Sequence, residues 1–335
     1  MDFTKVLIVF HGGEPLLQPI AQFEDMCSIF QKELSEIINI EYKFQTNATL
    51  ITNRWINIFS KYNISVGVSL DGPREYNDID RVDHQNKGSY DLVRAGIEML
   101  QKAVLDGKIS AITSYCVINP TRDPVIIYRH LVDELKIKYM DYLLPDITHD
   151  DPFSIDPVQY GYFLCKLFEE WVKDKNPNVK IRFFLSLLNV LTGKNSLITS
   201  MGPGLDNIFI LTVSSNGQLS PDDILRKAGC GKVMDLAHVN QTSAKNFFEM
   251  PILQSIRSCK QTLPKDCTDC CWQKICGGGS YIHRYSEKNN FDNSSVMCEA
   301  LKMIFSKTSA FLLQSGLPAS KLQEVLMFES PVMLN

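Results

Sequence analysis

The sequence Val6-Leu-Ile-Val-Phe-His-Gly-Gly-Glu-Pro15 predicts a buried β-strand that runs directly into a glycine-rich turn. Paired glycines let another molecule approach the backbone closely, and a carboxylate beside them can bind an ammonium group. On their own, residues 11–15 could equally form a tight turn between a strand and a helix. Two further polar segments, Gln45-Thr-Asn47 and Ser69-Leu-Asp-Gly72, end the next two predicted strands. Polar groups at the carboxyl ends of successive parallel strands are typical of the binding sites of open sheets and barrels.

Short β-rich runs alternate with longer helical patterns through the first two-thirds of the chain, which predicts an α/β fold of parallel βα units. Strands are expected at residues 6–10, 42–47, 64–70, 110–118 and 139–144. Helices are expected near residues 23–38, 53–62, 92–100, 124–135 and 157–171. Periodicity alone does not decide whether such units form an open sheet or a barrel.

The pattern changes near residue 205. Residues 209–215 and the turn Asn216-Gly217 predict an antiparallel hairpin, because asparagine-glycine is a strong turn signal. Cysteines, glycines and polar loops follow. We therefore expect two domains, residues 1–205 and residues 206–335, the second ending in a helical tail.

The composition is that of an ordinary globular protein. Hydrophobic residues make up 44% and charged residues 21% of the 335 residues, close to the usual proportions. The formal net charge of −4 gives no broad cationic surface of the kind that binds a phosphate backbone, so nucleic acid is not an expected partner. No apolar run approaches the ~20 residues that cross a bilayer, and the first residues lack a secretory signal pattern. We expect a cytoplasmic protein with no membrane partner.

Seven of the ten cysteines lie between Cys230 and Cys298. In a reducing compartment this clustering favours metal binding over disulfides. The spacing Cys267-Thr-Asp-Cys270, then Cys276-Gly-Gly-Gly279 and Cys298, could surround one zinc ion or the corners of an iron–sulfur cube. The remaining Cys27, Cys116 and Cys165 stand alone in apolar surroundings and are expected in the core.

The three strand-end segments together resemble the motifs of radical S-adenosylmethionine (SAM) enzymes. They are residues 10–17, Gln45-Thr-Asn47 and Val68-Ser-Leu-Asp-Gly-Pro73. In that family the glycine-glycine-glutamate segment holds the amino group of SAM. The resemblance implies this role for Gly12, Gly13 and Glu14.

The later strand ends of the family hold the SAM carboxylate and ribose. By resemblance, these roles fall to Asn47, Ser69 and Asp71. Arg81 resembles the arginine that meets the SAM carboxylate in peptide-modifying members, although it could also be a solvated loop charge.

The segment from Cys267 to Cys298 resembles the SPASM region of that family, which carries auxiliary four-iron four-sulfur clusters. The resemblance implies that one such cluster is held by Cys267, Cys270, Cys276 and Cys298. Full SPASM regions have cysteines for a second, inner cluster where this chain has Ser280 and Pro221-Asp-Asp223. Oxygen groups replace thiolates poorly, so we expect one auxiliary cluster.

Three cysteines stay unassigned: Cys230, Cys259 and Cys271. Asp223 matches the position of an aspartate that accepts a proton in some family members, so it is the candidate catalytic residue. Its alternative role is to cap the turn after the hairpin.

The family holds its SAM-cleaving cluster with a Cys-x3-Cys-x2-Cys segment, and this chain contains no such segment. The expected fold is therefore a partial (β/α)6 barrel that lacks its first βα unit, followed by the SPASM-type domain. The segment could be missing through misassignment or truncation of the start, could come from a second polypeptide, or could be lost in a degenerate scaffold.

The glycine-rich segment from Cys276 to Tyr285 resembles that of cyclophane-forming peptide maturases. The sequence therefore predicts a maturase that crosslinks side chains in a precursor peptide, with SAM as cofactor and flavodoxin or ferredoxin as electron donor. Two alternatives remain open. One is an anaerobic sulfatase-maturase-like enzyme that oxidises cysteine or serine to formylglycine, and the other is a non-catalytic peptide-binding scaffold.

Overall fold

A computed structural model describes residues 4–152, 155–198, 201–202 and 209–327. The chain divides into two compact units. The first comprises Met1–Leu143 and Glu169–Arg182, and the second comprises Leu144–Phe168 and Phe183–Asn335. The domain boundary expected near residue 205 falls within 203–208, outside the described residues.

The first unit contains a parallel sheet of six strands, and the predicted α/β fold is confirmed. The strands follow one another in chain order, as in a partial barrel. Their bounds are β1 Lys5–Phe10, β2 Asn39–Thr46, β3 Ser65–Ser69, β4 Ile112–Val117, β5 Tyr139–Leu143 and β6 Lys180–Ile181. The crossover helices of this unit are α1 Ile20–Leu34, α2 Asn53–Lys61, α3 Arg74–Asp80, α4 Tyr90–Leu105 and α5 Pro124–Arg129. Helix α6, Val158–Asp174, begins in the second unit and ends in the first.

One face of the sheet packs on the helices through aromatic side chains. Phe44 of β2 contacts Phe23 of α1 and Trp55 of α2, with ring centroids 5.5 and 5.7 Å apart. Phe23 and Phe44 are almost fully buried. Because side chains alternate along a strand, the neighbouring residues Lys43 and Gln45 lie on the opposite face.

The opposite face is polar and holds a closely fitted glycine. Gly67 of β3 pairs with Gln45 and therefore shares its face. A Cβ atom added at Gly67 would lie 2.2 Å from Cε2 of Tyr115. On the same face, Asp141 of β5 accepts a hydrogen bond from Arg182 Nε at 2.7 Å.

The helix predicted over residues 124–135 keeps its α-helical form only to Arg129. His130–Glu134 continue as a π-helical turn. The His130 ring is buried, with Nε2 3.0 Å from Tyr90 Oη and Nδ1 3.0 Å from Glu134 Oε2. The wider turn places both ring nitrogens within reach of polar partners, and a 3.6-residue hydrophobic pattern does not predict such a change.

The second unit begins its regular structure with helices and a small sheet. Helix α7, Arg182–Leu191, lies almost wholly in this unit. The small sheet consists of β7 Thr212–Val213, β8 Gln218–Ser220 and β9 Ala237–His238. The remaining helices are α8 Ala244–Phe248, α9 Pro251–Gln261, α10 Gln273–Cys276, α11 Cys298–Gln314 and α12 Ala319–Met327.

The predicted hairpin is confirmed as antiparallel pairing of β7 with β8. Gly217 has φ +85°, which favours glycine, and the Ser214 amide donates to the Gln218 carbonyl at 2.9 Å. The sheet packs on a core that includes Leu219, Leu225 and Phe247. None of the helices within the described ranges is both long and apolar enough to cross a membrane.

Candidate functional site

Glu14 joins the ends of the first two strands. Its Oε1 accepts hydrogen bonds from the Leu16 amide at 3.0 Å and from the Thr46 hydroxyl at 2.8 Å. Its Oε2 accepts from the Asn47 amide at 2.8 Å. The carboxylate is thereby fixed beside the glycine-rich turn, and Oε2 has lone-pair capacity for one more donor.

The glycine pair before Glu14 presents bare backbone to open space. A Cβ atom at either Gly12 or Gly13 would meet nothing within 4 Å. Gly12 has φ +114°, which requires glycine, whereas no such constraint applies at Gly13. A ligand can therefore approach this backbone closely.

Asp71 joins the ends of β3 and β4 and holds Arg81. The Asp71 carboxylate accepts hydrogen bonds from Arg81 Nε at 2.6 Å and Nη2 at 3.2 Å. It also accepts the Val117 amide at 2.9 Å, and its side chain is only 8% exposed. Arg81 is thus a fixed, partly exposed cation beside the strand ends.

The other two predicted binding residues lie at the same edge of the sheet. Ser69 Oγ accepts a long hydrogen bond of 3.5 Å from Gln45 Nε2. Asn47 Oδ1 accepts from the amide and the hydroxyl of Thr49 at 3.0 and 2.8 Å. The pairing of β1 with β2 and of β2 with β3 brings the predicted residues to one edge.

Four cysteines of the second unit line one small cavity: Cys267, Cys270, Cys276 and Cys298. Its other walls include Trp272, Leu301 and Phe305. Burial, together with the neighbouring thiols of Cys298, Cys267 and Cys270, raises the pKa of Cys276 to about 12. Binding of a metal centre would therefore displace protons from these thiols.

The four thiols are candidate ligands of a metal centre. Among the described residues, no three His, Cys, Asp or Glu side chains are grouped so that they could hold one metal ion. A zinc ion needs its thiolates at about 2.3 Å, whereas an iron–sulfur cube carries them at its corners. Four thiols that line one cavity are compatible with the second arrangement.

The residues at the expected inner-cluster position do not fit a cluster. Tyr281 Oη donates a hydrogen bond of 2.5 Å to Asp222 Oδ2, and burial and Asp222 raise the pKa of Tyr281. Asp222, and not Asp223, caps the following turn by accepting from the Ile224 amide at 3.5 Å. The position therefore holds a phenol–carboxylate pair.

Asp223 lies near a carboxyl group that sequence analysis missed. Desolvation and the charges of Asp223 and Asp222 together raise the pKa of Asp146 from 3.8 to about 6, although the side chain is exposed at the surface. Asp146 follows β5 in the ordinary segment Leu-Leu-Pro-Asp-Ile, where nothing marks it as functional. Only the fold brings it near Asp222 and Asp223.

Two of the three cysteines expected in the core are buried there. Cys27 and Cys116 are 0% and 1% exposed, whereas Cys165 has intermediate exposure. Cys259 is also intermediate, and Cys271 is exposed. The side chain of Cys230 lies outside the described residues.

Residues 2–131 match the family model of the radical SAM superfamily. Strands β1 to β4 and the strand-end residues lie in this matched part of the chain, which is a radical SAM domain. Likeness extends well beyond that domain. The chain is 27% identical over 310 residues to the cysteine-type anaerobic sulfatase-maturating enzyme of Clostridium novyi (strain NT), covering 89% of this chain and 79% of that enzyme.

Two further similar proteins also match more than nine-tenths of the chain. The serine-type anaerobic sulfatase-maturating enzyme of Bacteroides thetaiotaomicron is 23% identical over 325 residues, covering 92% of this chain and 77% of that enzyme. The solved structure of native anSMEcpe with bound AdoMet and Kp18Cys peptide has a TM-score of 0.79 and 25% identity, covering 93% of this chain and 85% of that chain.

These relatives correct the predicted function. The prediction of a cyclophane-forming crosslinking enzyme is wrong, because the relatives named above are sulfatase-maturating enzymes of both types. That prediction depended on the short segment from Cys276 to Tyr285, whereas the similarity extends over about nine-tenths of the chain. The comparisons also lend no support to a missing opening segment.

Proposed function

We propose that the chain is a SAM-dependent maturase that oxidises a cysteine or serine side chain of a polypeptide to formylglycine. The observation that carries this proposal is the likeness, over 93% of the chain, to a structure that binds AdoMet and a cysteine-containing peptide. We favour cysteine as the target, because identity is 27% to the cysteine-type enzyme and 23% to the serine-type enzyme.

The strand-end residues of the radical SAM domain would bind SAM. Gly12 and Gly13 leave the backbone open to its amino group, and Glu14 supplies negative charge beside it. Arg81 would meet the SAM carboxylate, and Asp71 fixes the guanidinium for this task. Asn47 and Ser69 add polar groups at the ends of β2 and β3.

SAM, when bound and reduced, supplies a 5′-deoxyadenosyl radical that takes a hydrogen atom from the side-chain carbon of the target residue. Formylglycine formation removes two electrons from that residue, and reductive conversion of SAM to methionine and 5′-deoxyadenosine takes up two. With a cysteine target, water would then replace the sulfur of the thioaldehyde, which leaves as hydrogen sulfide. An electron donor such as flavodoxin or ferredoxin would start the cycle. The 335 residues contain no Cys-x3-Cys-x2-Cys segment for the SAM-cleaving cluster, so SAM binding is the first step to test.

One auxiliary four-iron four-sulfur cluster would be held by Cys267, Cys270, Cys276 and Cys298, and it would accept an electron from the oxidised residue. The pairing of Asp222 with Tyr281 argues against a second cluster. Asp223 would accept the proton that leaves the target, and Asp146 lies in the same electrostatic environment.

The test is oxidation of a cysteine-containing sulfatase peptide by the anaerobically reconstituted protein with SAM and a strong reductant. Mass spectrometry is expected to detect formylglycine, and Asp223→Asn is expected to slow its formation. Crosslinked peptide without formylglycine would overturn the proposal. Peptide binding without any effect of SAM would favour the scaffold alternative.

A further inference from the structure

Arg284 is a buried cation without a carboxylate partner. The residue is only 3% exposed. Nε donates to the Phe291 carbonyl at 3.0 Å, and Nη2 donates to the Thr262 carbonyl at 3.1 Å. Across the described ranges, no carboxylate forms an ion pair with its guanidinium. Asp292 is near enough to act on it electrostatically, but Asp292 pairs with Lys265 at 3.5 Å and is half exposed.

Carbonyl oxygens satisfy the donors of a guanidinium but do not neutralise its charge. A buried charge without a counter-charge is strongly unfavourable in a low-dielectric interior. Burial accordingly lowers the pKa of Arg284, and negative charge on Cys259, Cys267, Asp292 or Cys276 acts in the opposite direction. Two of those thiols, Cys267 and Cys276, line the four-cysteine cavity.

The guanidinium also lies against the glycine turn that follows Cys276. A Cβ atom at Gly278 would lie 3.3 Å from Arg284 Nη1, and Gly278 is part of the cavity wall. Nη1 makes neither of the two carbonyl hydrogen bonds. The nitrogen that the carbonyls leave unused is thus the one next to the cavity.

We propose that Arg284 is the counter-charge of the auxiliary iron–sulfur cluster and raises its reduction potential. This inference rests on the cluster assignment made in the proposed function. Four thiolates give the cluster a net negative charge, and reduction adds one more. A fixed cation in a low-dielectric site stabilises the reduced form more than the oxidised form, so the cluster accepts an electron more readily.

Lys302 provides a matched comparison. It lies on α11 in the wall of the same cavity, pairs with Glu299 at 2.9 Å, and has a side chain 42% exposed. It carries the same charge as Arg284 and also acts on the Cys298 thiol, but Glu299 pairs with it and solvent screens its exposed side chain. Removing the charge of Lys302 should therefore shift the reduction potential of the cluster less than removing that of Arg284.

The test uses the full chain, reconstituted anaerobically, as wild type and as the variants R284Q, R284K and K302Q. Iron and sulfide per chain are measured first, and the reduction potential is then obtained by a titration followed by electron paramagnetic resonance. R284Q is expected to shift the potential to a more negative value, K302Q to shift it less, and R284K to stay near wild type. An unchanged potential in an iron-loaded R284Q overturns the inference.

If R284Q loads no iron, R284K decides the question. Loading of R284K supports a need for charge at this position. If R284K takes up no iron although its circular dichroism spectrum is unchanged, iron loading depends on the two carbonyl hydrogen bonds and not on the charge. That result overturns the inference. A wild-type chain that takes up zinc and no iron would instead refute the cluster in the proposed function. These failures are therefore distinguishable.

Discussion

The carboxylate of Glu14 has a structural role that its sequence pattern does not predict. The pattern Gly-Gly-Glu predicted a group that binds an ammonium, and the structure adds three hydrogen bonds from Leu16, Thr46 and Asn47. The same applies to Asp71 and Arg81, which sequence analysis identified separately and the structure pairs. Residue types at strand ends were predictable, whereas their partners were not, because partners depend on tertiary contacts.

The Asp71 pair should contribute measurably to stability. Asp71→Asn removes the charge that holds Arg81 in a site where the carboxylate side chain is 8% exposed. We expect the free energy of unfolding to fall by about 2 kcal/mol, measured by urea denaturation. The control is Asp91→Asn, which breaks an exposed pair with Arg74 and should leave stability unchanged. Equal stability of both variants would contradict the account.

Asp146 should make stability depend on pH. Its pKa is raised from 3.8 to about 6, so between these values the folded state keeps a proton that the unfolded state has released. This group therefore favours folding below pH 4 and loses that contribution as the pH rises to 6. Asp146→Asn should become more stable relative to wild type across the same window.

Denaturation curves of Asp146→Asn and wild type between pH 4 and 7 measure this difference. The exposed Asp25→Asn serves as the control. The effect should be modest, because solvent still reaches Asp146. A difference that falls as the pH rises would contradict the assigned direction of the pKa shift.

At the level of the elements, the sequence predicted long and regular segments best. The strands near 42–47, 64–70, 110–118 and 139–144 all occur, since each is a distinct apolar run. Strand β6 was missed because two residues carry no periodicity, and α7 follows it without a connecting loop. The π-helical turn at His130–Glu134 was missed because it depends on buried partners of His130.

The sheet itself contains a testable close contact. Gly67→Ala would place a methyl group 2.2 Å from the Tyr115 ring, so we expect a loss of roughly 1–3 kcal/mol in the free energy of unfolding. Tyr115→Ala removes the ring, and Gly67→Ala should then cost much less in the double variant. Urea denaturation of all four proteins measures the coupling. Strictly additive losses would mean that the two side chains do not meet.

For the whole molecule, scattered motifs were enough to predict the class of enzyme. They were not enough to predict which reaction it catalyses. Strand-end residues and the spacing of Cys267, Cys270 and Cys276 indicated a radical SAM chain with a cysteine-rich second part. The choice between maturase types depended on a few glycine-turn residues, and whole-chain similarity overturned it. Asp146 and Arg284 were missed because each gains its significance from residues distant in the sequence.

The cysteine cavity predicts a selective loss of iron. Cys276→Ser removes a thiol that lines the cavity and should greatly reduce iron and sulfide per chain after anaerobic reconstitution. Cys271→Ser changes an exposed thiol five residues away that lies outside this cavity, and it should keep the wild-type content. Equal loss in both variants would contradict the assignment of the four cysteines.

The central claim is that the strand-end loops of the radical SAM domain bind SAM, and equilibrium dialysis with labelled SAM tests it most directly. Gly13→Val adds a side chain to the space that the ligand would occupy, without backbone strain at that position. We predict saturable binding by wild type and by the control Leu17→Ala, whose side chain is exposed nearby. Gly13→Val should bind about tenfold or more weakly. Wild-type protein that binds no SAM, or Gly13→Val protein that binds it equally well, would contradict the account.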